Sequence, residues 1–127
     1  MMKSNAGVKR ILVVEDEPTV NEVCRKVLTR DGFEVDTAVN GEVAQRMLRE
    51  GDYALILMDI KMPGMDGREF FGILKARYPK LAGRVIFATG DVIGGDTKEF
   101  LDQSGRPVLT KPFTPDELKA IVRAALG

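Results

Sequence analysis

Five side chains able to do chemistry stand where short apolar runs end. Glu15-Asp16 follows Ile11-Leu12-Val13-Val14, and Asp59 follows Ala54-Leu55-Ile56-Leu57-Met58. Thr89 follows Val85-Ile86-Phe87-Ala88, and Lys111 follows Val108-Leu109-Thr110. Each feature alone has a plain reading. Glu15-Asp16 fits a solvated turn, with Asp16 capping a helix that starts near Pro18, and Thr89 fits a cap or a packed hydroxyl. Together they ask for more. Three carboxylates converging on one crevice repel one another unless a cation is present. Hard oxygen ligands of this kind suit Mg²⁺, which keeps several waters and takes one or two carboxylates plus phosphate oxygens. A lysine between a buried run and Pro112-Phe113 has a reason to stand near three acids. The Lys111-Pro112 bond is also one that can be cis, as in tight turns. These are the parts of a metal-assisted phosphoryl-acceptor site.

The elements that must position these groups alternate along the chain. Ile11–Val14, Ala54–Met58, Val85–Ala88 and the brief Val108–Thr110 are continuous apolar runs that read as buried strands. From Phe33 to Ala38, apolar and acidic residues alternate, which suits a less buried strand. Between them lie helical spacings: Val20, Val23, Cys24, Val27 and Leu28; then Val43, Ala44, Met47 and Leu48, opened by Asn40-Gly41 and closed by Gly51. A third helix is expected from about Arg68 to Tyr78, with Pro79 and Gly83 as punctuation. The fourth reads as short and mobile, Thr97 to about Gln103, because Gly94-Gly95 is costly to order. The last has a capping box, with Thr114 as N-cap, Pro115 at the first helical position and Glu117 reaching back. Five strands alternating with five helices predict an α/β fold, a parallel sheet doubly wound by right-handed crossovers. In such sheets ligands bind at the carboxyl ends of the strands. Every candidate residue falls at such an end.

The totals describe one domain. The chain has 127 residues, 44% hydrophobic and 30% charged, with 19 basic and 19 acidic side chains. Balanced charge argues against direct nucleic-acid binding. No apolar run approaches the ~20 residues of a membrane span, and no signal segment opens the chain, so the default location is cytoplasmic. Cys24, the single cysteine, cannot form an internal disulfide and reads as a small buried apolar residue. There is no histidine. Ser-His and Cys-His catalysis, His-ligated zinc and a phosphohistidine on this chain are therefore excluded. A histidine that donates phosphoryl groups must lie elsewhere.

In these residues, their order and their spacing, the chain from about Lys9 to Leu126 resembles the receiver domain of two-component response regulators. The loop Met62-Pro63-Gly64-Met65-Asp66-Gly67 is also similar to the family's loop. The resemblance implies a (βα)5 flavodoxin-like three-layer sandwich with strand order 2-1-3-4-5, spanning residues 9–126 after a flexible tail of residues 1–8. It implies that Asp59 is phosphorylated and that Asp16, Asp59 and the Lys61 carbonyl bind Mg²⁺ or Mn²⁺, with Glu15 assisting. Thr89 would be the switch hydroxyl and Lys111 the phosphate-binding ammonium. The partner would be a sensor histidine kinase or a histidine phosphotransfer protein, with no turnover enzymology beyond slow self-dephosphorylation. The stretch from Thr89 to Phe113 is similar to receivers of hybrid sensor histidine kinases, so the chain reads as a stand-alone receiver or one excised from such a kinase. A monomer or weak dimer is expected. Val108 departs from the family, where many members carry an aromatic three residues before the lysine. Activation should then rest on Thr89 and on residues 90–106. Lys61 and Asp91 are expected to pair across the mouth and slow hydrolysis. The competing readings are a pseudo-receiver that is never phosphorylated and an aspartyl phosphohydrolase, the latter disfavoured by Lys61 where a second acid is expected.

Overall fold

The computed structural model describes residues 7–90 and 95–126. Five strands form one sheet: β1 (Arg10–Val14), β2 (Glu34–Ala38), β3 (Leu55–Asp59), β4 (Val85–Thr89) and β5 (Val108–Thr110). All pairs are parallel and the order is β2-β1-β3-β4-β5. The helices are α1 (Pro18–Arg30), α2 (Gly41–Glu50), α3 (Gly67–Arg77), α4 (Pro79–Ala82), α5 (Gly95–Ser104) and α6 (Pro115–Leu126). Among the described residues no helix is long and apolar enough to cross a membrane.

Strand alternation builds two cores. Leu12, Val14, Ile56, Met58, Val85 and Phe87 face one side, where Ala44 and Leu48 of α2, Phe70 and Leu74 of α3 and Leu101 of α5 cover them. Ile11, Val13, Leu55, Leu57, Ile86 and Ala88 face the other, under Cys24 and Leu28 of α1 and Leu118 and Val122 of α6. Successive side chains on opposite faces, both covered, explain why these strands read as unbroken apolar runs. Fully burying each such side chain contributes about 1.5–3 kcal/mol. Cys24 is buried as expected, and burial, with the charge of Glu15 adding to it, pushes its thiol up to about 12.

Local signals set several boundaries. The Asn40 side chain accepts from the Val43 amide at 2.9 Å, and Thr114 and Glu117 form the reciprocal capping box at 3.1 and 2.8 Å. Other expectations need correction. Asp59 and Thr89 are the last residues of β3 and β4 rather than the first residues beyond them. The N-cap position of α1 is Glu17, not Asp16, and no side chain caps it. Pro79, with its φ set for a first helical turn, starts the short α4 instead of merely ending α3. The helix after β4 begins at Gly95 and runs for 10 residues, longer than Thr97 to Gln103. Its glycine is offset by Asp96 in the first turn, by the Lys98–Asp102 pair at 2.9 Å and by burial of Leu101. Asp91 and Gly94 lie outside the described residues, as does the tail 1–6. The Lys61–Asp91 pair is therefore an expectation without a described geometry.

Candidate functional site

Register brings the site together. Val14 pairs with Met58, so Glu15 leaves β1 beside Asp59. Asp59 pairs with Ala88, one residue before Thr89, and Thr89 pairs with Thr110, one residue before Lys111. The Lys111 amide donates to the Thr89 carbonyl at 3.0 Å, extending the ladder to the rim. The Lys111-Pro112 bond is cis.

Lys111 is the centre of the arrangement. Its ammonium donates to Glu15 Oε1 at 2.5 Å and Asp59 Oδ2 at 3.0 Å, and it lies 3.7 Å from Glu17 Oε1. Glu15, Asp59 and Thr89 are buried, at 2%, 7% and 2% exposure. Burial pushes the Glu15 carboxyl up to about 7; its hydrogen bond to Lys111 pulls it down and the charge of Asp59 pushes it up again. Burial also works against the Lys111 charge, but its hydrogen bonds to Glu15 and Asp59 outweigh this and carry it to about 12. Lys111 is thus held in its charged form, and burial raises the Glu15 carboxyl above the ordinary carboxylate range.

Oxygens of Glu15, Glu17 and Asp59 all lie within 4.8 Å of one another. Asp16, half-buried beside them, is not part of that group. The Lys61 side chain is exposed, and its amide donates to Asp59 Oδ1 at 3.3 Å. Three close carboxylates facing one ammonium leave an excess of negative charge and a set of hard oxygen donors. Its buried members, Glu15 and Asp59, fit a small divalent cation such as Mg²⁺, while Glu17 stays exposed at the edge of the group.

Sequence reasoning missed three supports. Glu17 carries no sequence signal beyond its place two residues after Glu15, from which its carboxylate returns to the same crevice. Asn21, buried on α1, donates its amide to the Glu15 carbonyl at 2.6 Å and holds the acidic turn; a polar residue among apolar helix positions was the available signal. Gly67 opens α3 against β3. A Cβ there would meet the Asp59 carbonyl oxygen at 2.6 Å and Ile60 Cα at 2.8 Å. Its amide donates to the Ile60 carbonyl at 2.7 Å. Asp66, which accepts from the Glu69 amide at 3.0 Å, caps the same helix.

Residues 11–123 match the family described as response regulator receiver domain. The transcriptional regulatory protein TcrA of Mycobacterium tuberculosis is 38% identical over 115 residues, covering 91% of this chain and 45% of TcrA. The aerobic respiration control sensor protein ArcB of Escherichia coli is 34% identical over 113 residues, covering 89% of this chain and 14% of ArcB. The chain thus spans less than half the length of either relative. Among solved structures, the response regulator TrrA of Thermotoga maritima, in complex with Mg²⁺-BeF, superposes with a TM-score of 0.81 at 34% identity. That alignment covers 94% of this chain and all of TrrA. Domains of this family are signalling modules that receive phosphoryl groups from histidine kinases and bind Mg²⁺ at an acidic pocket. The match runs from the first strand into the last helix, and the chain therefore belongs to the response regulator receiver domains of two-component signalling systems.

Proposed function

We propose that Asp59 accepts a phosphoryl group from a phosphohistidine on a sensor histidine kinase or histidine phosphotransfer protein. The observation that carries this reading is the Lys111 ammonium bridging Glu15 and Asp59 at the carboxyl ends of β1 and β3. In the transfer, an Asp59 carboxylate oxygen forms a bond to phosphorus as the donor's nitrogen–phosphorus bond breaks and neutral imidazole leaves once protonated. The chemistry is mainly positioning and charge neutralisation. Lys111 neutralises oxygens of the incoming group, and the fixed strand end of β3 holds Asp59 for in-line attack. Mg²⁺ or Mn²⁺, when bound, supplies further neutralisation of the phosphoryl oxygens; Asp16, Asp59 and the Lys61 carbonyl would hold it, with Glu15 assisting.

The product adds roughly two negative charges to Asp59. Lys111 and Thr89 are the cation and hydroxyl nearest along the rim and would be drawn toward it. Displacement of Thr89 moves β4, and Phe87, two residues earlier on the same face, carries that motion toward α5. Relatives include a transcriptional regulator and a sensor protein, and either arrangement of a larger chain is compatible with this site. The test is transfer from a radiolabelled phosphohistidine protein in Mg²⁺. Label should pass to this chain in near-stoichiometric amount and then decay slowly. Absence of label favours a pseudo-receiver, and continuous phosphate release over many turnovers favours a phosphohydrolase.

A further inference from the structure

We propose that Glu17 is a positioning residue that selects phosphoryl donors by charge, an inference that rests on Asp59 being the acceptor. Three observations lead to it. First, Glu17 occupies the N-cap position of α1 yet makes no side-chain capping bond, so its carboxylate is not committed to the helix end. Its amide instead donates to Glu15 Oε2 at 3.2 Å, which fixes the turn and directs Glu17 back over the crevice. Second, its carboxylate lies 3.7 Å from the Lys111 ammonium and within 4.8 Å of oxygens of Glu15 and Asp59, while remaining 63% exposed. Third, Glu17 and Lys111 together border an open cavity of about 410 Å³ floored by Val20 and Phe113. Glu17 thus stands beside the buried acceptor and the Lys111 ammonium, on the exposed side of the group.

A solvated acid at a helix start would be the plain reading of such a residue, and its exposure agrees with that. The geometry does not. An exposed pair contributes little to stability, so a contact with the phosphate-binding lysine at the mouth acts chiefly on whatever enters. Before a donor arrives, Glu17 draws the Lys111 ammonium outward, in competition with Glu15 and Asp59. When a donor arrives, its phosphoryl oxygens must displace that contact against a like charge. A doubly negative free donor meets this repulsion in full. A donor carrying compensating positive charge, or a protein whose docking covers Glu17, meets less. Glu17 therefore restrains phosphorylation by small metabolic phosphoanhydrides and leaves protein donors favoured.

The experiment compares wild type with Glu17→Gln, Glu17→Asp and Glu17→Lys at saturating Mg²⁺ and low ionic strength. In each, an Asp59 oxygen takes the phosphoryl group as the phosphorus–leaving-group bond of the donor breaks, releasing acetate from acetyl phosphate or ammonia from phosphoramidate. For a unit charge a few ångströms from phosphorus in water-like surroundings, Glu17→Gln should speed reaction with doubly charged acetyl phosphate by about 3- to 10-fold. Singly charged phosphoramidate should gain less, Glu17→Lys should gain more, and Glu17→Asp should stay near wild type. The differences should shrink at high salt. A purely structural role would not follow donor charge or ionic strength. Equal rates for wild type and Glu17→Gln with acetyl phosphate, or an equal gain with both donors, overturns the inference while leaving the acceptor assignment intact. Failure of wild type itself to be phosphorylated at Asp59 overturns both.

Discussion

At Lys111 one ammonium satisfies two buried carboxylates, and the consequences can be measured residue by residue. Removing it by Lys111→Met leaves Glu15 and Asp59 facing each other in a buried crevice, and a buried pair broken on one side costs several kcal/mol. Stability of the metal-free protein should fall by about 2–4 kcal/mol, read by urea unfolding at pH 7.5. Glu15 gives the pH dependence. Its carboxyl is raised in the folded state from 4.5 to about 7, so the folded protein holds that proton more tightly than the unfolded chain. Its favourable contribution is complete below pH 4.5 and is lost as pH rises through 7. Metal-free wild type should therefore lose stability across this window relative to Glu15→Gln, by no more than about 3 kcal/mol. Parallel curves for the two proteins would contradict that origin.

Two helices, α3 and α5, couple the site to the rest of the fold. Because Gly67 lets α3 start against the Asp59 carbonyl, Gly67→Ala must push helix and strand apart. It should destabilise by about 1–3 kcal/mol and slow Asp59 phosphorylation together; an unchanged protein would show that the close approach is dispensable. Phe71 of α3, Phe87 of β4 and Phe100 of α5 meet edge to face, with centroids 5.4 to 5.9 Å apart. Val108 lies opposite Phe87 in the ladder and packs on the same cluster. The aromatic that many family members carry on β5 is thus absent, and aromatic rings reach the same core from α3, β4 and α5. Phe100→Ala should cost about 2–4 kcal/mol in urea unfolding, since the half-buried ring loses both transfer energy and its partners. In NMR it should also reduce the shift changes that beryllofluoride produces across α5. Full retention of those changes would remove the triad from the switching route.

The same elements show what could be read beforehand. β1, β3 and β4 were legible because both faces are covered, which turns a buried strand into a plain apolar run; the edge strand β5 was legible from its short Val108-Leu109 run although Thr110 is exposed. The edge strand β2 was legible from its alternation, and α6 from its capping box. The boundary of α5 was not, because tertiary burial of Leu101 and the pairs along its surface outweigh its glycine. Glu15, Asp59, Thr89 and Lys111 converge as their strand ends implied, since register fixes them. The place of Glu17 in the acidic group, and of Asp16 outside it, depends on the turn after β1, which no pattern of residue types specifies.

For the whole molecule, the two cores meet at one sheet, and the acidic rim is where charge accumulates without enough counter-charge. A divalent cation should bind there and stabilise the folded state by mass action. Adding Mg²⁺ should raise the melting temperature and flatten the fall in stability between pH 4.5 and 7, because metal and proton compete for the same carboxylates. Every function proposed for this site passes through Asp59. The most direct measurement is the intact mass of wild type and Asp59→Asn after incubation with acetyl phosphate and Mg²⁺. Wild type should gain one phosphoryl group, a gain lost when the metal is chelated and absent from Asp59→Asn. A gain that persists in Asp59→Asn, or no gain by wild type, would contradict this role of Asp59.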